Sequence, residues 1–214
     1  SMLWFFVGLQ SATAQTLSTD DIGSASYCPG SGIAVSWTAT GTFNSGNSFR
    51  IQLSDASGTF PLNNSTNIIG AASSTALSGT IPGTIPMSQA AGTGYRIRVV
   101  STDPVLNVNT PYDDNNSNLT VLARAFTPSF PFSASPLKHY NIGNLLSVPF
   151  TTNCSFDTGN NFILEMSDKN GNFLASGYPK VLQTLTNIVS SNTLAGNIPS
   201  VPFGTGYKLR VRST

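Results

Sequence analysis

Charged side chains make up 9% of the 214 residues, against roughly 25% in an ordinary soluble domain, so hydroxyls and amides must carry solubility. A formal net charge of +1 with no basic run supplies no phosphate-neutralising stripe, which excludes nucleic acid as a partner. No later stretch is long and apolar enough to cross a bilayer as a helix, so no membrane span is expected.

In chain order, the apolar run Leu3-Trp4-Phe5-Phe6-Val7-Gly8-Leu9 is followed by the small residues Ser11-Ala12-Thr13-Ala14. This is the pattern of the end of a secretory signal, and residues 1–14 are read as its remnant, a first strand being the alternative. The expected location is therefore secreted or attached to the outer cell surface. Ile33, Val35 and Trp37 then alternate with Ala34 and Ser36, the period of a half-buried strand. Phe49 to Asp55 gives a second such run, and Asp55-Ala56-Ser57-Gly58 a turn, with an Asp cap and a Gly for positive φ. Gly79-Thr80-Ile81-Pro82 comes next. In Gly92-Thr93-Gly94-Tyr95-Arg96-Ile97-Arg98-Val99, the residues Tyr95, Ile97 and Val99 share the inner face and Arg96 and Arg98 the outer. Asn118 to Leu122 forms a last strand.

The pattern then recurs. Leu146, Val148 and Phe150 correspond to Ile33, Val35 and Trp37, although Pro149 cannot donate to a ladder and belongs at an edge or bulge. Gly159-Asn160 and the run Phe162 to Asp168 repeat Gly46-Asn47 and Phe49 to Asp55. Gly171-Asn172-Phe173 repeats Gly58-Thr59-Phe60, and Gly196-Asn197-Ile198-Pro199 is matched to Gly79-Thr80-Ile81-Pro82. Gly204 to Val211 repeats Gly92 to Val99. On this alignment the copies differ in length in the loops around Ser73 and Ser88. So many ordered matches define two units of one fold.

Short alternating strands with Gly and Pro punctuation predict an all-β protein of two tandem immunoglobulin-like, fibronectin type III-like β-sandwich domains. The first spans 15–124, a stiff Pro-rich linker 125–136, and the second 137–214. Thr214 aligns with Thr102, so the second copy lacks its last strand. The natural chain is expected to continue, and the uncovered edge could pair with another chain.

The residues Gly-Asn before Phe, Leu53 or Met166 followed by Ser-Asp-x-x-Gly-x-Phe, Gly-x-Ile-Pro, and Gly-Thr-Gly-Tyr followed by Arg or Lys together resemble a known group. They are similar to repeat domains of large surface proteins exported by the type IX secretion route, including gliding-motility adhesins. The resemblance covers both copies from about Ser26 onward. It implies a tandem array on the cell surface, often with a distant C-terminal sorting domain. Gly-Thr-Gly-Tyr followed by Arg-Ile-Arg-Val also resembles the penultimate strand of fibronectin type III and related sandwiches, which implies that Tyr95 and Tyr207 anchor that corner.

Catalytic chemistry finds little material. His139 is the single histidine and Glu165 the single glutamate, and Glu165 is expected to point out of the core without a partner. No catalytic, cofactor-binding or metal-ligating residue is assigned, no cofactor is expected, and the protein is read as a non-enzyme. Asp20-Asp21 and Asp113-Asp114-Asn115-Asn116 hold oxygen ligands suited to calcium, but such clusters are ordinary turn formers and turns are preferred. Cys28 and Cys154 occupy non-equivalent places in the repeat and are expected as isolated buried thiols, a bridge between domains being the alternative. Trp37 aligns with Phe150 and is assigned to the core; Tyr112 and Tyr178, in loops, are the better exposed aromatics for a sugar.

The function expected from these readings is structural and adhesive, as the N-terminal part of a larger surface protein whose ligand is a polysaccharide or a protein. An accessory, carbohydrate-binding pair of domains in a secreted enzyme is the alternative.

Overall fold

The computed structural model describes residues 14–130, 139–186 and 191–214. Nearly all of the signal-like stretch, and Pro131 and Pro136 of the expected linker, lie outside them. The chain forms two compact units, Ser1–Leu122 and Ala123–Thr214, and the described residues are all-β without a helix.

The first unit contains β1 (Thr16–Thr19), β2 (Ser26–Tyr27), β3 (Gly32–Thr40), β4 (Ser48–Leu53), β5 (Ile68–Ser73), β6 (Ser78–Thr84), β7 (Gly92–Tyr95), β8 (Ile97–Val100) and β9 (Leu119–Val121). One sheet runs β1-β3-β6; facing it are the groups β5-β4-β8 and β2-β9-β7. The single run expected from Tyr95 to Val99 is interrupted at Arg96, where β7 gives way to β8. Val35, Trp37, Ile81, Phe49, Ile51, Ile97 and Val99 meet between the sheets. Trp37 stacks on Phe49 with centroids 3.7 Å apart, and Phe43 meets Phe49 edge-on at 4.8 Å. Burial of each such side chain contributes about 1.5–3 kcal/mol, so alternation of apolar and small polar residues in β3 is sufficient reason for its inner face to turn inward.

The second unit contains β10 (Phe126–Pro128), β11 (Leu145–Thr152), β12 (Asn161–Met166), β13 (Lys180–Thr186), β14 (Ser191–Asn197) and β15 (Leu209–Ser213). Its sheets, β10-β11-β14 and β13-β12-β15, repeat β1-β3-β6 and β5-β4-β8. Phe150 and Phe162 take the places of Trp37 and Phe49, with centroids 4.5 Å apart, and Phe156 takes that of Phe43. Even the irregularity is shared: the register shifts between Ile51 and Gln52 in β4 and between Leu164 and Glu165 in β12. Among the described residues no strand stands where β9 stands in the first unit.

Three expectations are corrected. The match of Gly196-Asn197-Ile198-Pro199 is to Gly83-Thr84-Ile85-Pro86, not to Gly79-Thr80-Ile81-Pro82. Gly83 pairs with Ile33 as Gly196 pairs with Leu146. The flanking bonds repeat as well: Gly30 N donates to Ile85 O and Ile85 N to Ser31 O, as Gly143 N donates to Ile198 O and Ile198 N to Asn144 O. The tetrapeptide occurs twice in succession in the first unit, and only pairing with β3 selects the copy. Phe49 to Ile85 is then as long as Phe162 to Ile198, and no length difference remains near Ser73.

The expected linker is partly structured in the second unit. β10 lies inside it and pairs with β11, from Phe126↔Thr152 to Pro128↔Phe150. Arg124 binds Asp157 at 2.8 Å and Ala125 N donates to Asn153 Oδ1.

Pro149 stands in the central strand of its sheet, not at an edge or bulge. Its carbonyl accepts from Ser129 N on the β10 side, just past the end of β10. The position that lacks a donor thus faces the place where the ladder has already ended.

Candidate functional site

The turns and corners that hold the outer surface follow the sequence closely. Asp55 Oδ1 accepts from Ser57 N, Ser57 Oγ and Thr59 N, and these bonds, the Ser57 hydroxyl first, hold its carboxyl below the usual range. Asp168 Oδ1 caps the equivalent turn through Asn170 N and Asn172 N. Gly58 and Gly171 take the positive φ these turns require, 86° and 82°. Tyr95 donates to Ala90 O and Tyr207 to Pro202 O, at 2.9 and 2.6 Å, so both tyrosines lock the same corner.

The chemistry-bearing residues concentrate on the outer face of the β5-β4-β8 group and its repeat. In the first unit Arg98 is fully buried. Its Nε donates to Gln52 Oε1 (2.8 Å), Nη2 to Pro61 O (2.7 Å) and Nη1 to Val108 O (3.4 Å). The guanidinium lies over the rings of Phe60 and Tyr112, at 4.6 and 4.9 Å. Burial pushes it down to about 10, opposed by Tyr112 and Asp114, which leaves it charged at neutral pH. Alternation correctly places Arg98 on the outer face, yet the segment after β8 folds back over it. Tyr112, expected as an exposed loop aromatic, is half-buried against Phe60 and Arg98.

That covering segment is held by amides. Asn107, at φ 63°, donates to Val99 O and Asp113 O and accepts from Asp113 N. Asn47 Oδ1 accepts from Thr102 N and Asp103 N, and Asn115 Oδ1 accepts from Ile97 N.

The acidic pair of this segment is also engaged. Asp113 Oδ2 accepts from Ser18 Oγ and Thr19 N. Asp114 Oδ1 accepts from Arg96 at 3.0 Å and from Asn116 N. Asp21 caps Gly23 N. These bonds fit the turn-forming role, and among the described residues no group of three or more His, Cys, Asp or Glu side chains converges on a metal-sized site.

In the second unit Glu165 takes the place of Gln52 on the outer face, as alternation placed it, yet is 2% exposed and has two arginine partners where none was expected. Oε2 accepts from Arg210 Nε (2.7 Å) and Oε1 from Arg212 Nε (2.9 Å). Burial alone would raise this carboxyl; the bonds from Arg212 and Arg210 outweigh it and hold it below the usual range. Arg210 lies over Phe173 at 4.3 Å, as Arg98 lies over Phe60. The register does contain a sign of this pair, since Glu165 stands opposite Arg210, but neighbouring strands must be paired before it can be read.

His139 is exposed, and Tyr178 half-buried with Lys180 over its ring at 5.1 Å. Neither cysteine is a free thiol. Cys28 and Cys154 are both disulfide-bonded, in place of the expected isolated thiols.

The fold and these outer-face clamps define a class: tandem immunoglobulin-like β-sandwich units in which one buried charged side chain, Arg98 in the first and Glu165 in the second, organises the outer face of the sheet. In comparisons with protein families and with curated proteins, the chain matches none.

Proposed function

We propose that the chain is a non-catalytic, exported repeat module that displays binding surfaces from a stiff scaffold, in a structural and adhesive role on the outer cell surface. The observation that carries this reading is the duplication itself. Framework pairs such as Trp37–Phe49 and Phe150–Phe162 are kept, while the outer-face residues change from Gln52 and Val100 to Glu165 and Arg212. A scaffold held constant under a varied surface suits binding better than chemistry. Both cysteines being disulfide-bonded supports an oxidising compartment outside the cytoplasm. The low charge and the type IX adhesin-like motifs support the same location.

The test is surface labelling of intact cells that produce the protein, together with attachment of cells lacking it. Labelling of unpermeabilised cells and reduced attachment are the expected results; recovery of the protein only inside cells would end the proposal.

A further inference from the structure

We propose that the cleft between β1 and the segment after β8 in the first unit, beside Tyr112 and Asp113, is a binding site for a sugar ring of a neutral polysaccharide. This names a ligand class for the adhesive reading and rests on it.

The cleft encloses about 380 Å³, within the range of roughly 300–1,000 Å³ typical of ligand pockets. Leu17, Leu106 and the ring of Tyr112 give it apolar walls, and Gln15, Asn107 and Asp113 give it polar ones. Most of these walls are fixed before a ligand arrives. Asn107 donates to Val99 O and Asp113 O and accepts from Asp113 N. Tyr112 stands edge-on to Phe60 at 5.3 Å, and Asp113 holds Ser18 Oγ and Thr19 N through Oδ2 alone. Little rotamer entropy therefore remains to be lost on binding.

The polar atoms left over set the chemistry of the occupant. Among the described residues, Asp113 Oδ1, the Tyr112 hydroxyl and Gln15 Oε1 make no hydrogen bond. Two acceptors and one hydroxyl suit the hydroxyls of a sugar, each of which donates and accepts. An extended peptide brings as many carbonyls as N–H groups, and only the Tyr112 hydroxyl could answer a carbonyl. No cationic side chain lines the cleft, so nothing there draws an anion. The carboxylate of Asp113 is offset by the Arg98 guanidinium, 4.9 Å from the centre of the Tyr112 ring, so a cation is not singled out either. The C–H face of an uncharged sugar fits against Tyr112 and the two leucines.

The experiment is titration of the full chain with a neutral glucan, mannan and galactan, and with polygalacturonate, chitosan and a Gly-Ser repeat peptide, at low and high salt. Binding to a neutral glycan that salt leaves unchanged, with the charged chains and the peptide bound more weakly, is the expected result. Asp113→Asn should weaken it by about tenfold or more, because an amide NH₂ replaces the open acceptor. The amide oxygen still accepts from Ser18 and Thr19, so the melting temperature should stay near wild type. A second variant, Tyr112→Leu, keeps an apolar cover on Arg98 and should weaken binding by about threefold or more.

Binding of no neutral glycan, equal or tighter binding of polygalacturonate, chitosan or the peptide, or retained affinity in both variants would overturn the site. Attachment of cells that survives Asp113→Asn would leave the adhesive role standing without this site. Neutral-glycan binding by a chain that labels no cell surface would do the reverse.

Discussion

Arg98 Nε donates to Gln52 Oε1 across 2.8 Å inside the first unit, while the equivalent Arg210 donates to Glu165 Oε2 at 2.7 Å in the second. The same two positions thus carry a neutral acceptor in the first unit and an ionised one in the second.

Replacing Arg98 by Met should destabilise the first unit by about 2–4 kcal/mol, because Gln52 Oε1 and Pro61 O lose a charge-assisted donor while remaining shielded. Arg98→Lys should recover only part of this, since an ammonium cannot reproduce the fork or lie flat between Phe60 and Tyr112. Urea unfolding followed by near-ultraviolet circular dichroism checks both, and unchanged midpoints would contradict the assignment.

Glu165 gives a pH dependence with a definite sign. Its carboxyl is held below the usual value in the folded state. Its contribution is therefore fully present above the unfolded value of about 4.3 and is lost as pH falls through the lower folded value. Unfolding midpoints of wild type should decline across that acid window, and Glu165→Gln should flatten this part of the profile. The comparison of the two profiles between neutral pH and pH 3 is the measurement.

Gly83 and Gly196 have no positive φ; they are required by close backbone approach. A Cβ on Gly83 would lie 2.9 Å from Ile69 O, and one on Gly196 would collide with Leu182 O. Ala at either position should cost about 1–3 kcal/mol through forced backbone shifts. The effect should be alike in the two units, whereas Gly79→Ala, whose nearest neighbour is the Trp37 ring at 3.4 Å, should cost less. Thermal unfolding of the three variants discriminates the corrected repeat from the alignment by Gly79.

Calcium should leave the melting temperature unchanged, and so should chelator. Asp113 and Asp114 already accept from Ser18, Thr19, Arg96 and Asn116, so a metal would have to displace these bonds. A rise with calcium that Asp113→Asn abolishes would show a site.

Thiol titration of the denatured, unreduced protein should find no free cysteine, as the disulfide state of Cys28 and Cys154 requires. Two reactive thiols per chain would contradict it.

The residues themselves determined the all-β class, the duplication, the inward faces of β3, β4, β11 and β12, and the Asp55 and Asp168 turns. Each depends on alternation or on a turn within a few residues, and local sterics settle such features before distant strands meet. Tertiary structure alone decided which Gly-Thr-Ile-Pro copy is the true repeat, because that follows from pairing with Ile33 across the sheet. It alone decided that Arg98 lies under Tyr112 and that Glu165 sits beneath two arginines. Alternation assigns a residue to a face but not the cover that face receives; cover comes from loops and neighbouring strands far away in sequence, and with it come burial, ion pairing and the chemistry of the surface.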